Sequence, residues 1–259
     1  MAAKVLFLDI ETMPMLSYIW RLFDEQGGTA MLHTDSCILS WSAKWLGEKE
    51  IHYADQRNAK DIENEKKILE PLWKLLDEAD IVIGHNSKRF DIKRINARFI
   101  KHKMNPPSPY RQIDTLQEAK KHFAFTSNKL EYLAKYLECD TKKLTDRKYP
   151  GFELWRQCLA GNKDAWKEME KYNKQDVIVL EQVYSRLDPW VNVINWNVFE
   201  EGEKHICSCG CKQFRDKGYH YLNSGKYKRW HCVDCNKAYK EKINLLTKEK
   251  RKSMRTPCK

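Results

Sequence analysis

Short apolar runs and segments of helical periodicity follow one another along the first 190 residues. Four runs have the apolar character of buried strands: residues 4–9, 37–46, 50–54 and 81–84. Five segments place their apolar side chains at helical spacing: residues 62–78, 89–103, 115–123, 128–138 and 163–187. Asp61 and Asn128 are placed to cap two of these helices. Because strands come first and then alternate with helices, we expect an α/β fold with a mixed β-sheet flanked by helices.

The positive charge of the chain is concentrated in its last quarter. Residues 1–200 contain 31 Lys and Arg against 30 Asp and Glu, whereas residues 201–259 contain 16 against 6. A compact basic segment is typical of proteins that bind nucleic acid, although a solubilising tail has the same composition. The expected organisation is a first domain over 1–190, a linker over 191–204, a small module over 205–240 and a basic tail over 241–259 with no fold of its own.

The N-terminus and the hydropathy favour a location inside the cell. The sequence MAAKVLFLDI carries one positive charge and a short apolar run that ends in an acid, which is typical of a buried strand and not of a signal peptide. No apolar run approaches the roughly 20 residues that a membrane span requires. The expected location is cytoplasmic, which includes a nucleoid or the cytosol of an infected host cell.

Two carboxylates close the first apolar run. In Asp9-Ile10-Glu11 the acids are two residues apart on a predicted strand, so both side chains point to one side of it and can face one cavity. Oxygen ligands of this kind suit hard divalent cations; a harmless acidic strand end is the alternative. The same tripeptide recurs at residues 61–63, where it opens a predicted helix, so it is the position after a buried strand that favours a metal site.

Further acids lie at the ends of predicted elements. Asp91 is in the first turn of a helix that follows a buried strand, where an acid also complements the helix dipole. Tyr172 and Asp176 are four residues apart on the longest predicted helix, so they share one face, about 6 Å apart along the axis. That face also holds Met169 and points inward, where an acid is costly unless it is paired or binds a cation.

In this order the motifs resemble the signature of a known family. Residues 7–12 read F-L-D-I-E-T, residues 85–91 read H-N-S-K-R-F-D, and residues 172–176 read Y-N-K-Q-D. They resemble the three motifs of the DEDDy 3′–5′ exonucleases, members of the DnaQ-like, ribonuclease H-like superfamily that include the proofreading domains of family B DNA polymerases. The resemblance extends from residue 4 to about residue 187 and implies a ribonuclease H-like fold.

The resemblance also implies roles for individual residues. Two Mg²⁺ or Mn²⁺ ions would be held by four acids: Asp9, Glu11, Asp91 and Asp176. Tyr172 would orient the attacking water. The histidine form of the family has its histidine one residue earlier, where this chain has Lys171, so the tyrosine form is indicated.

Phosphodiester cleavage fits such a set of residues. Paired cations about 3.5–4 Å apart can activate a water and stabilise the leaving oxygen, and carboxylate ligands suit Mg²⁺ or Mn²⁺ better than zinc. Asn86 and Phe90 are candidate contacts to the terminal nucleotide, although an inward aromatic such as Phe90 is more often part of a core.

Five of the nine cysteines lie close together near the C-terminus: Cys207, Cys209, Cys211, Cys232 and Cys235. Without a secretory context to favour disulfides, this cluster predicts metal ligation. Gly210 and Asn236 follow the second cysteine of each pair, where a left-handed turn is expected. The predicted ligands of one structural Zn²⁺ in a zinc ribbon are therefore Cys207, Cys209, Cys232 and Cys235. Cys211 is the alternative to Cys207, and His205 and His231 are weaker alternatives.

Basic and aromatic residues alternate between the two cysteine pairs. About half of these aromatics are expected to form the small core of the ribbon, and the others, with the cations, suit single-stranded nucleic acid. Four residues are the candidate contacts: Arg215, Lys228, Arg229 and Trp230.

The sequence therefore predicts a metal-dependent 3′–5′ exonuclease that hydrolyses phosphodiester bonds from a free 3′ end. The expected substrate is single-stranded DNA, and the expected protein partner, if one exists, belongs to replication or repair. Two alternatives stay open: a 3′–5′ exoribonuclease, and a non-catalytic nucleic-acid-binding protein that recruits the chain to a larger complex. Converging acids repel one another without a cation, which argues against the second alternative.

Overall fold

The computed structural model describes residues 3–21, 28–141, 148–199, 202 and 205–255. Their contacts divide them into two compact units, one over residues 3–186 and one that begins at Leu187. Within the described residues, every helix is too short or too polar to cross a membrane.

The first unit is built on one mixed sheet. The described strands are β1 (Val5–Thr12), β2 (Leu16–Ser17), β3 (Leu32–Thr34), β4 (Ile38–Trp45), β5 (His52–Asp55), β6 (Ile81–Gly84) and β7 (Arg111–Asp114). The main sheet has the order β5-β4-β1-β6-β7. In it β4 runs antiparallel to β1 and β5, whereas β6 runs parallel to β1 and β7. Strands β2 and β3 pair separately. The predicted α/β fold with a mixed sheet is confirmed.

Helices cover both faces of this sheet. The described helices are α1 (Lys66–Glu78), α2 (Asp91–Lys101), α3 (Thr115–His122), α4 (Leu130–Tyr136), α5 (Glu153–Leu159) and α6 (Lys163–Leu187). Leu6, Leu8 and Ile10 of β1 pack with apolar side chains of α1 and α2 in one core. On the opposite side, the ring of Phe7 lies 5.8 Å from that of Tyr184 on α6. Because side chains alternate along a strand, Asp9 and Glu11 point to the α6 side, as Phe7 does.

Two predicted helix caps were wrong. Helix α1 begins at Lys66, and Asp61 lies in a preceding turn where its Oδ1 accepts the N–H of Glu63 at 2.9 Å. Helix α4 begins at Leu130, after Lys129, so Asn128 is one residue too early to cap it. The side chain of Asp61 thus stabilises a turn before the helix, which periodicity cannot detect.

Some short elements were absent from the prediction. Strand β7, helix α5 and the strands β2 and β3 contain between two and seven residues each, and none has the unbroken apolar run that makes the equally short β6 recognisable. They matter because β7 completes the edge of the sheet next to β6, and α5 supplies apolar residues to the core that contains Tyr172.

The second unit contains a three-stranded antiparallel sheet. Its strands are β8 (Phe214–Leu222), β9 (Gly225–Cys232) and β10 (Ala238–Lys240), in the order β10-β9-β8, and helix α7 (Lys248–Ser253) follows.

The flanking segments of this unit differ from the expected linker and tail. Within the expected linker, Asn197 exchanges two hydrogen bonds with the backbone of Ile206, at 2.7 and 3.1 Å. In the expected tail, the N–H of Leu245 donates to the carbonyl of Lys226 at 2.7 Å, and α7 follows. Eight residues of these segments lie outside the described residues: 200, 201, 203, 204 and 256–259.

Candidate active site

Three acids converge at the end of the central strand. Asp9 and Glu11 come from β1, and Asp176 comes from α6. Each offers one carboxylate oxygen, and these oxygens all lie within 4.8 Å of one another. Asp176 is buried, whereas the other two are partly exposed. The structure thus brings together three of the four acids that the family resemblance implies.

Asp91, the fourth acid, lies outside this group. It begins α2, and its Oδ1 accepts the N–H of Ile10 at 3.1 Å, between the two acids of β1. Burial, helped by the nearby carboxylate of Asp114, raises the pKa of Asp91 to about 7. Asp91 therefore ties the start of α2 to the backbone of β1. Burial favours its neutral form, and a nearby cation would favour the ionised form.

Tyr172 shares a cleft with the three acids. The cleft has a volume of about 560 Å³, and Tyr172 and Asp176 both line it from α6. The ring of Trp155 on α5 packs edge-on against Tyr172, with centroids 6.2 Å apart. The four-residue spacing on one helix thus delivers the tyrosine and the acid to the same cavity, as the sequence predicted.

A second wall of the cleft comes from the loop after β6, from α3 and from the segment that leads into α4. Its lining residues are His85, Asn86, Leu116, Lys120 and residues 126–131. His85 joins the two segments: Nε2 lies 2.9 Å from the carbonyl oxygen of Asn128, and Nδ1 lies 2.9 Å from Oγ1 of Thr115. Because a carbonyl oxygen only accepts, Nε2 of His85 carries a proton.

A fully buried carboxylate that the sequence prediction missed, Asp114, organises this wall. Its Oδ1 accepts the backbone N–H groups of Asn86, Leu116 and Gln117, and its Oδ2 accepts that of Lys88. Asn86 has a left-handed backbone, with φ of 67°, which the bond to Asp114 stabilises. The sequence Asp114-Thr115-Leu116-Gln117 has the spacing of a capping box, a signal that could have identified this residue.

Asn173 is a second residue that the sequence prediction missed. Its side chain is fully buried; Nδ2 donates to Oδ2 of Asp9 at 2.7 Å, and Oδ1 accepts from the hydroxyl of Ser40 at 3.2 Å. The amide of Asn173, the residue after Tyr172, therefore fixes the orientation of the Asp9 carboxylate. Its partners lie more than 130 positions away in the sequence, so no local pattern could reveal them.

The two candidate contacts to the terminal nucleotide separate in the structure. Asn86 lines the cleft. Phe90 packs against the core between the sheet and α1 and α2, and the guanidinium of Arg94 lies 4.3 Å from its ring centroid. Phe90 thus belongs to the core, which is the usual place of an inward aromatic.

A second depression adjoins the acids, and we call it the aromatic groove. It has a volume of about 380 Å³ and is lined by Thr12, Met13, Pro14, Met15, Ser36, Arg94, Phe152 and Trp155. Thr12 directly follows Glu11, and Trp155 contacts Tyr172, so the groove lies next to the cleft. It combines a cation, Arg94, with the exposed ring of Phe152.

The cysteine cluster forms in the second unit. Sulfur atoms of Cys207, Cys209, Cys232 and Cys235 all lie within 4.8 Å of one another. Cys211 lies outside this group and accepts the N–H of Gln213 at 3.4 Å. The structure thus brings the sulfur of Cys207, and not that of Cys211, together with the other three.

The local backbone explains this selection. Gly210 and Asn236 both have a left-handed backbone, with φ of 86° and 62°, as expected after the second cysteine of each pair. The N–H of Gly210 donates to the carbonyl of Cys207 at 2.8 Å, which closes the first turn around Cys209.

The surroundings of the cysteine cluster favour a thiolate at Cys207. Burial opposes ionisation of Cys207, but the hydroxyl of Tyr239, which donates to its sulfur at 3.2 Å, and the N–H of Cys209 lower its pKa to about 7. Burial raises the pKa of Cys235, which shares a hydrogen bond with Cys207 at 3.4 Å. A bound cation would favour the thiolate form of both cysteines.

The four candidate nucleic-acid contacts of the predicted ribbon do not form one surface. On β9, side chains alternate between the two faces of the sheet, so Lys228 and Trp230 lie on one face and Arg229 on the other. Arg229 donates twice to the carbonyl of Lys217, at 3.0 and 2.7 Å. Arg215, which pairs with His231 in the sheet, donates to Oδ1 of Asn236. Both arginines therefore have partners within the ribbon.

Comparison with known proteins supports the fold assignment. The RNase_H superfamily model matches residues 28–188, more than half of the chain. Among 115 chains of solved structures that match is the family B DNA polymerase from the hyperthermophilic archaeon Pyrobaculum calidifontis, with a TM-score of 0.52 and 15% identity. That match covers 72% of this chain but only 25% of the polymerase. No curated protein matches the chain.

Proposed function

The chain belongs to the RNase_H superfamily, and we propose that it is a metal-dependent 3′–5′ exonuclease whose expected substrate is single-stranded DNA. The observation that carries the proposal is the cleft in which Asp9, Glu11 and Asp176 bring carboxylate oxygens within 4.8 Å of one another beside Tyr172. The sequence motifs that supply these residues resemble those of the DEDDy exonucleases in type, order and spacing.

The donor set of the cleft fits divalent cations. Carboxylates this close repel one another unless a cation neutralises them, and an all-oxygen set favours Mg²⁺ or Mn²⁺. Asp9, Glu11 and Asp176 would hold such ions, with Asp91 as the further ligand that the family resemblance implies. Bound divalent cations supply Lewis acidity that lowers the pKa of a water and stabilises a leaving oxygen.

The protein groups of the cleft would orient the reaction. The hydroxyl of Tyr172 would hold the attacking water, and Asn173 would keep Asp9 in one rotamer. The water oxygen bonds to phosphorus as the bond from phosphorus to the 3′ oxygen of the preceding nucleotide breaks. The water loses a proton and that 3′ oxygen gains one, which yields a nucleoside 5′-monophosphate and a strand one nucleotide shorter.

The aromatic groove supports an unpaired strand as substrate. It adjoins the acids through Thr12 and Trp155, and it offers an exposed ring at Phe152 beside the guanidinium of Arg94. Rings can stack on the bases of a single strand, and a cation can neutralise its phosphates. A duplex keeps its bases stacked on one another and makes no use of such a groove.

A structural zinc ion in the second unit completes the proposal. Four cysteine sulfurs with converging positions are the ligand set of a closed zinc site. The surrounding core is small, so we infer that the metal stabilises the ribbon and that the ribbon helps to hold the nucleic acid.

Digestion of end-labelled oligonucleotides tests the proposed activity. With Mg²⁺ or Mn²⁺, 5′-labelled single-stranded DNA should shorten one nucleotide at a time, 3′-labelled DNA should release mononucleotide at once, and EDTA should abolish both. RNA digested in preference to DNA would assign the chain as an exoribonuclease. No cleavage of either substrate would favour the non-catalytic alternative.

Two matched variants connect that activity to the cleft. Asp9→Ala should abolish cleavage because a metal ligand is lost, whereas Asp61→Ala, in the same tripeptide but in a surface turn, should leave it near normal. Tyr172→Phe should retain metal dependence and slow the chemical step. Near-normal cleavage by Asp9→Ala would contradict the assignment.

A further inference from the structure

One face of the ribbon sheet collects exposed rings and lysines, and we call it the ring–lysine face. The pairing of β8 with β9 places Tyr219 opposite Lys228 and Tyr221 opposite Lys226. Directly opposed residues of antiparallel strands share a face, and Trp230 joins them because it is two residues from Lys228. We define the ring–lysine face as the part of this side formed by Tyr219, Tyr221, Lys226, Lys228 and Trp230; Asp216 and Tyr239, both opposite Trp230, lie on the same side of the sheet.

The two tyrosines of this face are not part of the ribbon's core. That core is a ring cluster of His205, Phe214 and Tyr239, with centroids 4.4–5.5 Å apart. Tyr219 and Tyr221 are 39% and 67% exposed. A cluster of exposed aromatic rings on one face of a sheet is typical of a binding surface.

The lysine ammonium groups lie over these rings. Lys226 Nζ is 3.9 Å from the ring centroid of Tyr219 and 5.8 Å from that of Tyr221. Lys228 Nζ is 5.4 Å from Tyr219 and 5.8 Å from Trp230. Such cations are held by the electron-rich ring faces. A nucleic-acid strand can contact both kinds of group at once, with its bases stacked on the rings and its phosphates bound to the ammonium groups.

The opposite face of the same sheet offers fewer of these groups. There Tyr227 lies against Gly225, where an added Cβ would be 2.4 Å from the ring, and one lysine, Lys240, lies 4.3 Å from it, against two tyrosines and two lysines on the ring–lysine face. The arginines of the opposite face, Arg215 and Arg229, are bound to Asn236 and to the carbonyl of Lys217.

We propose that the ring–lysine face binds single-stranded nucleic acid, with bases stacked on Tyr219 and Tyr221 and phosphates bound by Lys226 and Lys228. The inference rests on the proposed function for the nature of the strand. The charge of the segment supports a polyanion as the occupant, since residues 201–259 contain 16 Lys and Arg against 6 Asp and Glu. Asp216 opposes binding, because its carboxylate forms an ion pair with Lys228 and would lie near the phosphates.

Binding of a fluorescent single-stranded oligonucleotide to the full chain tests this face, with Asp176→Asn in every protein to prevent cleavage. The double variant Tyr219→Ala, Tyr221→Ala should bind about tenfold more weakly or worse, because bases that stack on these rings would no longer have a platform. Tyr219→Phe, Tyr221→Phe keeps both rings and should bind like the parent. Duplex binding should be unaffected by either change.

The lysines are tested by the salt dependence of binding. Lys226→Gln, Lys228→Gln should reduce the slope of log affinity against log salt by about 0.7 for each phosphate that is no longer neutralised. The control is Lys240→Gln, at a residue that pairs with Arg229 on the opposite face, and it should change the slope less for each lysine removed. Asp216→Asn should strengthen binding, because it removes the negative charge that pairs with Lys228.

Three outcomes would overturn the inference: unchanged affinity in the tyrosine-to-alanine variant, equal changes of slope for each lysine removed in the two lysine variants, or weaker binding by Asp216→Asn. Retained zinc content and an unchanged circular dichroism spectrum identify variants that remain folded, and Tyr221→Ala alone replaces the double variant if that unfolds. Cleavage is measured separately in the Asp176 parent. Face-specific binding without any cleavage would therefore disprove the exonuclease and leave this inference standing.

Discussion

At the scale of single residues, the arrangement of the cleft depends on side chains that are not themselves expected to bind metal. Asp114 holds four backbone N–H groups around the loop that carries His85 and Asn86. Asn173 holds Asp9 from α6, and the hydroxyl of Ser40 holds Asn173 from β4. Ligands supported in this way keep one geometry, which is what a two-metal site requires.

The first residue-scale prediction concerns Asn173. Asn173→Ala frees the carboxylate of Asp9 to rotate, and we expect the apparent affinity for Mg²⁺ or Mn²⁺ in the cleavage assay to fall by about 10–100-fold. Asn173→Asp should be worse, because a second carboxylate replaces the donor that faces Asp9 and the two repel. The measurement is the cleavage rate as a function of metal concentration.

A control on the same helix separates positioning from stability. Gln182 is another amide of α6, and it exchanges hydrogen bonds with Thr141 at 3.0 and 3.2 Å. Gln182→Ala should lower the melting temperature without moving the metal dependence. An Asn173→Ala protein whose metal dependence equals that of the parent would show that the amide serves only to pack the helix.

At the scale of elements, length and burial separate what the sequence predicted from what it did not. Helix α6 was predicted with both its ends, at residues 163 and 187, because 25 residues give its period ample room. Strand β1 was recognisable because it is central and buried on both sides. Strand β7 is as short as β6, but β6 is an unbroken apolar run that is buried throughout, whereas β7 contains one apolar residue, Ile113, and begins exposed.

The residues of the candidate site likewise divide into those that the sequence predicted and those that it did not. Asp9, Glu11, Tyr172 and Asp176 could be found because each lies at a fixed spacing within a predictable element. Asp114 escaped notice because its strand was not predicted, and Asn173 because its hydrogen bonds join α6 to residues of the sheet that are distant in sequence. Where the signal was purely local, as with Asp61 and Asn128, the cap assignments were wrong by one to a few residues.

The element-scale prediction concerns the cysteine cluster. Purified protein should contain about one tightly bound zinc per chain, in addition to exchangeable ions of the cleft. Cys207→Ser should lose it, because the sulfur of Cys207 is one of the four that converge, whereas Cys211→Ser should retain it. Elemental analysis of the purified variants provides the measurement.

Cys37→Ser is the control for a buried cysteine elsewhere in the chain, and it should keep the zinc. Loss of zinc from Cys211→Ser with retention in Cys207→Ser would reverse the ligand assignment. Metal-replete parent protein without zinc would show that the four sulfurs serve another purpose.

At the scale of the whole molecule, charge and catalytic groups are divided between the two parts of the chain. Residues 1–200 hold every acid of the cleft and have nearly equal numbers of basic and acidic residues, 31 against 30. Residues 201–259 contain the cysteine cluster and the excess of positive charge, 16 against 6. Long-range attraction of a polyanion therefore originates mainly in the second part.

Truncation to residues 1–200 should therefore weaken binding of single-stranded DNA far more than it slows cleavage at saturating substrate. Each phosphate left without a basic partner should reduce the magnitude of the salt slope by about 0.7, so binding by the full chain should depend steeply on salt and binding by the truncated chain weakly. The affinity measurements use the Asp176→Asn form of both proteins, and the rate measurements use the active forms. A thermal melt establishes that the truncated chain is folded, as its own apolar cores lead us to expect. Parallel salt slopes and equal affinities would mean that the basic part does not hold the substrate and instead serves a protein partner.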